Sequence, residues 1–375
     1  SADLAAAMIW PAVPNCVASG RLDRLRTWLS GLTDAQIASN PWLSMAATWS
    51  ALQQGDAPTM GRWARISEGH AGPNWREDAS HDPYAATVAV LHGLVGSGGL
   101  DDTRDLCDRA MGGLAPDDSV RAAAAFNRGI AMALLRDLEG GQASLVEADT
   151  LAAALGVPVI EANAKSFLGL MALGAGERER GIRLISEAAE VTRRHHVDRL
   201  ATGALSSTAQ ALVLALVGDT TAATSMLATA RRLSGLAGAV APWFAVTGRI
   251  IQARTAILLG DGATARLLLA EAEDHLTPDL EASVARDDLA KAKAALAQMS
   301  DKGGTAGVLT TTELRVLPFL PSYLTLQQIG EHLFISQSTV KTHVLSIYRK
   351  FGVNSRADAV ARARELGLVE SPIAD

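Results

Sequence analysis

The stretch 253-ARTAILLGDGATARLLLAEAEDHL-276 decides the architecture. Apolar residues Ile257, Leu258 and Leu259 close one segment, Gly260 to Gly262 turn the chain, and a second apolar set follows at Leu267, Leu268 and Leu276. This is the pattern of two amphipathic helices joined by a tight turn, in which Gly supplies the left-handed residue that ends the first helix. The stretch 206-SSTAQALVLALVGDTTAATSMLATARRL-233 repeats the design about one period earlier. Working outward, glycines punctuate most of the chain: Gly55, Gly98, Gly140, Gly176, Gly218 and Gly260. They fall roughly 36 to 43 residues apart, the range of paired-helix solenoid repeats. Neither helix of a pair can bury its apolar stripe alone, so pairs stack, and alanine-rich contacts let them lie close.

Composition agrees. Hydrophobic residues make up 48% of the 375 residues and charged residues 20%. A buried core is within reach, disorder is excluded for most of the chain, and the length suits two or three domains. Ala and Leu dominate and aromatics are only 4%, which favours helices over strands. The fold class expected is all-α: a tetratricopeptide-like α-solenoid over 1–300, a linker over 301–308, and a small four-helix helix-turn-helix domain over 309–375. The linker is read from 300-SDKGGTAGV-308, where three glycines interrupt the apolar periodicity.

No apolar run reaches the length of a membrane span. The start, SADLAAAMIWPAVP, lacks a basic leader and an initiating Met, so it reads as cytoplasmic and as a fragment. Cys16 and Cys107 stand far apart with no metal-ligand spacing and read as reduced apolar residues. No catalytic constellation, cofactor motif or metal site emerges. The segment 93-GLVGSGGL-100 has glycines but lacks the Gly-Lys-Ser/Thr of a phosphate-binding loop. Neither an enzyme nor an ATPase is expected.

The net charge of −6 argues against nucleic-acid binding by the whole surface, so any such binding must be local. One segment qualifies: 324-LTLQQIGEHLFISQSTVKTHVLSIYRKFG-352. Thr325 with Gln328 forms a capping box for a first short helix. Ile329 and Leu333 face inward, and Gly330 lets a crossing helix come close. The turn runs through Phe334 and Ile335, and Ser336 caps a second helix. On that helix Val340, Val344, Ile347 and Phe351 share one face. Gly352 ends it, just after Arg349 and Lys350, and Ser355 with Asp358 opens another helix. Ser338, Thr342, Leu345 and Arg349 lie opposite the core. Lys341 lies along one edge and Thr339, His343 and Lys350 along the other. No acidic residue occurs between Glu331 and Asp358. A cationic, hydroxyl-rich helix behind a tight turn suits a major groove, and Leu345 suits a thymine methyl. Taken alone, the same face is also an ordinary solvated surface.

The strings 309-LTTTELRVL-317 and 327-QQIGEHLFISQSTVKTHVLSIYRKFGVNSRADAVARARELGL-368 resemble the LuxR-type (GerE/FixJ-type) helix-turn-helix domain over nearly all of residues 309–369. The resemblance implies that the helix from Ser336 to Phe351 reads the major groove of double-stranded DNA. It implies that Lys341, Thr342 and Leu345 face bases, that Thr339, His343, Lys350 and Arg356 lie near the backbone, and that the helix over about 356–366 contacts a second copy in a homodimer. Ser336, Gln337, Ser338 and Arg349 complete the candidate DNA-binding set. Pro318 and Pro321 depart from the family pattern and are expected to kink or end the scaffold helix early. The stretch from Gly20 to Asp56 resembles the tetratricopeptide-like domain of large LuxR-type activators such as the maltose-regulon activator family, over about 20–300. Two alternatives stay open there: the C-terminal part of such a regulator, or a shortened natural version.

Six of seven tryptophans lie before residue 76. They either line a groove for a small-molecule or protein effector, or simply fill the early repeats. The run 193-RRHHVDR-199 is either an anion site or the solvated end of a helix. The leading expectation is a bacterial transcriptional regulator whose solenoid receives a signal and whose C-terminal domain binds an operator. The alternative is a helical-repeat protein-interaction scaffold with a secondary or vestigial DNA-binding domain.

Overall fold

The computed structural model describes residues 2–13, 16, 22–96, 98–238, 241–281, 283–304, 309, 311–322, 324–333, 335–365 and 368–369. These residues are helical or in turns, with no strand among them. They form two compact units, Ser1–Lys293 and Ala294–Asp375.

In the first unit, α1 (Ala2–Ile9), α2 (Leu22–Ser30) and α3 (Asp34–Ala38) precede a series of helix pairs. The pairs are α4 (Pro41–Gln54) with α5 (Ala57–Ala71), α7 (Pro83–Val95) with α8 (Gly99–Gly113), and α9 (Ser119–Leu134) with α10 (Leu138–Leu155). Then come α11 (Pro158–Gly174) with α12 (Arg178–His195), α13 (Ala204–Leu216) with α14 (Thr220–Ala237), and α15 (Pro242–Leu258) with α16 (Gly262–Asp274). A short α6 (Trp75–Asp78) sits between the first two pairs, and α17 (Pro278–Glu281) and α18 (Val284–Gly304) follow the last. The array is the expected paired-helix repeat.

The turn chemistry repeats. Gly55, Gly176, Gly218 and Gly260 all take positive φ, as the spacing of glycines implied. The next residue then caps the second helix of the pair in three of these four turns. Asp56 accepts from the Thr59 amide, Asp219 from Ala222 and Asp261 from Thr264. Two of the six glycines behave otherwise. Gly98 has φ −99 and precedes α8, while Gly96 and Gly99 take the positive φ in that turn. Gly140 lies inside α10, and its turn is made by Arg136 at φ 73 with Asp137 as the cap.

Glycine has a second use within the pairs. A Cβ at Gly141 would stand 2.8 Å from the Ala133 amide nitrogen, and one at Gly129 3.0 Å from the Gly141 carbonyl. Forty residues on, Gly169 and Gly181 repeat the arrangement, with Cβ positions 3.0 and 2.9 Å from each other's carbonyl oxygens. The helices of these two pairs touch backbone to backbone, so any side chain there would force them apart.

The two helices of a pair are not equivalent. In α7 every residue from Ala85 to Leu91 is buried, whereas α8 buries only Leu100, Thr103, Leu106, Cys107 and Ala110. The first helix is enclosed by its neighbours on all sides and the second shows one face to water. This corrects the stripe read from 253–276. Leu258 and Leu267 are exposed, at 49% and 50%. The buried positions are Ala253, Thr255, Ala256, Ala265, Leu268, Leu269 and Ala272, because small residues bring the helices close enough to leave neighbouring leucines outside.

The boundary between the units, Lys293/Ala294, falls inside α18. Residues 301–304, expected to begin a linker, are helical. Residues 305–308 lie outside the described residues.

The second unit contains α19 (Thr311–Val316), α20 (Leu326–Leu333), α21 (Gln337–Phe351) and α22 (Arg356–Glu365). Its core joins Val316, Leu317, Ile329, Val340, Ile347 and Ala359, all nearly fully buried. Each large apolar side chain in it contributes about 1.5–3 kcal/mol. As expected from Pro318, α19 ends at Val316 and gives way to a short 3-10 turn, Leu317–Phe319.

Candidate nucleic-acid interface

Local signals set the two helices of the motif. Thr325 and Gln328 form the reciprocal cap. The Gln328 amide donates to Thr325 Oγ1 at 3.2 Å, and the Thr325 amide donates to Gln328 Oε1 at 2.9 Å. The Ile335 amide donates to the Gly330 carbonyl at 2.9 Å, which closes the turn. A Cβ on Gly330 would lie 2.6 Å from the Ile335 carbonyl. The element that comes close to Gly330 is therefore the turn itself rather than a separate crossing helix. Phe334 lies outside the described residues. Ser336 Oγ accepts from the Thr339 amide at 3.1 Å and caps α21. Gly352 ends that helix at φ 68, and Ser355 caps α22 through the Asp358 amide at 3.1 Å.

These constraints fix which side of α21 meets water. Val340, Val344, Ile347 and Phe351 are buried. Ser336, Gln337, Ser338, Thr339, Lys341, Thr342 and Leu345 are exposed and His343 is half-buried. Leu345, at 56% exposure, is an apolar side chain standing in a polar face. Lys341 makes no ion pair among the described residues. At the helix start, Ser336 Oγ lies 2.8 Å from both Ser338 Oγ and Thr339 Oγ1. Hydroxyls gathered at a helix N-terminus, with the positive end of the helix dipole behind them, form a surface that receives phosphate oxygens. Thr342 Oγ1 donates to the Ser338 carbonyl at 3.0 Å and keeps its lone pairs for an outside donor.

The other cationic candidates are placed differently. Lys350 Nζ lies 2.6 Å from Glu313 Oε2, with 16% and 4% of the two side chains exposed. Arg356 donates to four carbonyls, those of Phe319, Leu320, Ser322 and Leu324, at 2.8 to 3.0 Å. These carbonyls belong to the segment that follows where the prolines stop α19 early, that of Phe319 also accepting from the Ser322 amide and hydroxyl, and the planar guanidinium serves them together. Both cations are thus engaged inside their own unit. Arg349 lies in α21, and its side chain is outside the described residues. Glu313 was missed by the sequence reading. The signal it carried was being the lone carboxylate of 309-LTTTELRVL-317, opposite a helix free of acids.

In the first unit the tryptophans divide. Trp63 and Trp75 are buried in the core. Trp42 packs between Trp10, tilted by 34°, and Tyr84, edge-on at 87°, with both centroid distances 4.9 Å. Trp10, Trp49 and the seventh, Trp243, line a cavity of about 480 Å³. Arg193 and Arg194 both pair with Glu190 at the end of α12, which is the solvated-helix-end arrangement. Cys16 and Cys107 are both buried, and burial pushes the Cys107 thiol up to about 12. Among the described residues no cluster could hold a metal ion, and no helix is long and apolar enough to cross a membrane.

Residues 307–363 match the family model GerE, described as "Bacterial regulatory proteins, luxR family". The chain is similar to the transcriptional regulatory protein DegU of Brevibacillus brevis, 40% identical over 63 residues. It is also similar to the probable transcriptional regulatory protein NarL of Mycobacterium tuberculosis (strain CDC 1551 / Oshkosh), 40% identical over 65 residues. Each match takes in 17% of this chain, and the chain spans only 27% and 30% of the length of these two relatives. A solved structure, "Crystal Structure of the Apo Form of RapI", aligns over 98% of this chain and 99% of its own at 8% identity and a TM-score of 0.38, a likeness too weak to carry an argument. The capped two-helix motif with its exposed hydroxyl and lysine face, together with the match over 307–363, makes the C-terminal unit of this chain a luxR-family helix-turn-helix domain.

Proposed function

We propose that the chain is a DNA-binding transcriptional regulator. Its C-terminal unit places α21 in the major groove of an operator, and its helical-repeat unit receives an effector. The single observation that carries the reading is the exposed side of α21, which is rich in hydroxyls and free of acids while the opposite side is fully buried. In this reading Lys341, Thr342 and Leu345 meet base edges. The Ser336–Thr339 hydroxyl cluster and His343 meet the backbone. Lys350 and Arg356 act from behind, holding the frame on which α21 sits, and a second copy binds through α22 to a two-fold half-site. The relatives' names, transcriptional regulatory proteins, support the class of activity, and the repeat architecture supports an effector-receiving role because its enclosed helices surround a cavity.

The test is selection of duplexes from a random pool by the intact chain, followed by footprinting on genomic DNA. Discrete recurring sites with a two-fold repeat are expected. Retention without sequence enrichment, alongside stable protein partners, would favour the scaffold reading instead.

A further inference from the structure

The cavity in the repeat unit is built rather than incidental. Its walls come mainly from the first helices of successive pairs: Trp49 and Gln53 from α4, Asn127 from α9, Asn163 from α11 and Trp243 from α15. At about 480 Å³ it lies within the ~300–1,000 Å³ of small-molecule sites, which are mostly apolar with a few polar groups. Its polar groups are linked. Asn163 Nδ2 donates to the Thr202 carbonyl at 2.7 Å, and Thr202 Oγ1 donates to Gln53 Oε1.

Two polar atoms on the lining residues have no protein partner: Trp49 Nε1 and Asn163 Oδ1. Asn163 is only 5% exposed. One orphan is a donor and the other an acceptor. Buried polar atoms are nearly always satisfied, so such a pair on residues lining one cavity calls for a partner. Charge narrows the partner further. The described lining residues include the carboxylates Asp117 and Asp118 and no Lys, Arg or His, so an anion would find no counter-charge.

We infer that this cavity binds a small, non-anionic, largely apolar molecule that accepts a hydrogen bond from Trp49 Nε1 and donates one to Asn163 Oδ1. The assignment of that molecule as the effector rests on the regulatory reading above, but the binding site itself does not.

The test uses the intact chain and a fluorescent probe with this chemistry, 7-amino-4-methylcoumarin, which is uncharged and carries an amine donor and a lactone acceptor. Its 3-acetate derivative supplies the same body with a negative charge. Saturable binding at one site per chain is expected for the neutral probe, with at least tenfold weaker binding of the acetate. Trp49→Phe keeps the ring shape but removes the donor, and Asn163→Leu removes the acceptor. Each is expected to weaken the neutral probe by about three- to tenfold, the worth of one hydrogen bond. If Asn163→Leu fails to fold by circular dichroism, Trp49→Phe decides alone. No saturable binding, equal binding by wild type and folded variants, or equally tight binding of the acetate overturns the inference. Probe binding that leaves operator affinity unchanged supports the site and counts against the effector reading only.

Discussion

Lys350 Nζ and Glu313 Oε2 stand 2.6 Å apart, joining the last turn of α21 to α19. Both side chains are largely withdrawn from water, so the pair holds position more than it adds net stability. Breaking it is another matter. Glu313→Gln leaves an ammonium without its counter-charge and is expected to destabilise the C-terminal unit by about 3 kcal/mol. Glu313→Leu with Lys350→Met is expected to recover most of that loss. Hydrogen exchange read on peptides from 309–365 reports the change without interference from the repeat unit.

Arg356 is expected to be harder to replace. It serves four carbonyls in the segment that follows the proline-terminated α19. Arg356→Ala is expected to cost about 2–4 kcal/mol by the same exchange measurement, since buried acceptors lose charged donors. Arg356→Lys is expected to recover less than half, because an ammonium lacks the planar fork. Full recovery by lysine would show that charge alone, not geometry, is required.

The parts of this domain that were legible in the sequence are those set by near neighbours. Thr325 with Gln328, Ser336 with Thr339 and Ser355 with Asp358 are three residues apart, and their bonds appear where the letters place them. The buried set Val340, Val344, Ile347 and Phe351 follows from helical period alone. The engagement of Lys350 and Arg356 was not legible, because their partners lie 32 to 37 residues away and a cation in a sequence looks the same whether it faces phosphate or a buried carboxylate. In the repeats, the period of the array was readable from glycine, yet Gly140 proved to be helical and Leu258 exposed. Helix-to-helix distance is set by which small residues meet, and that depends on partners in the other helix.

The backbone contacts in the repeats separate two costs of substituting glycine. Gly141→Ala places a methyl 2.8 Å from the Ala133 nitrogen and is expected to cost about 1–3 kcal/mol. Gly156→Ala meets open space and only the strain of φ 67, an expected cost of about 1 kcal/mol. Thermal unfolding of the two variants should therefore rank Gly141→Ala as the lower-melting protein. The reverse order would show that α9 and α10 can separate cheaply.

Acidification is expected to weaken the repeat unit through His92. Burial holds its pKa below the ordinary histidine value, with Arg76 acting the same way and the Glu68 carboxylate opposing. The fold therefore favours neutral imidazole, while the unfolded chain takes up a proton from about pH 6.5 downward. The stability it contributes is complete above that pH and falls as pH drops below it. His92→Gln should flatten this part of the stability–pH curve. An unchanged curve would assign the acid sensitivity elsewhere.

In the proposed reading Leu345 and Lys341 have different tasks. Leu345→Ala removes an exposed apolar group, so stability should change by less than about 0.5 kcal/mol. Selection from a random pool should nonetheless show relaxed preference at one thymine-containing position, where a methyl contact is lost.

The most direct test of the central claim, that the exposed side of α21 is the surface that meets DNA, is the salt dependence of operator affinity for the intact chain. Lys341→Ala is expected to weaken binding and to reduce the log–log slope by about one, while Glu313→Leu with Lys350→Met leaves the slope unchanged. A folded Lys341→Ala protein that keeps both the affinity and the slope of the wild type would contradict the account.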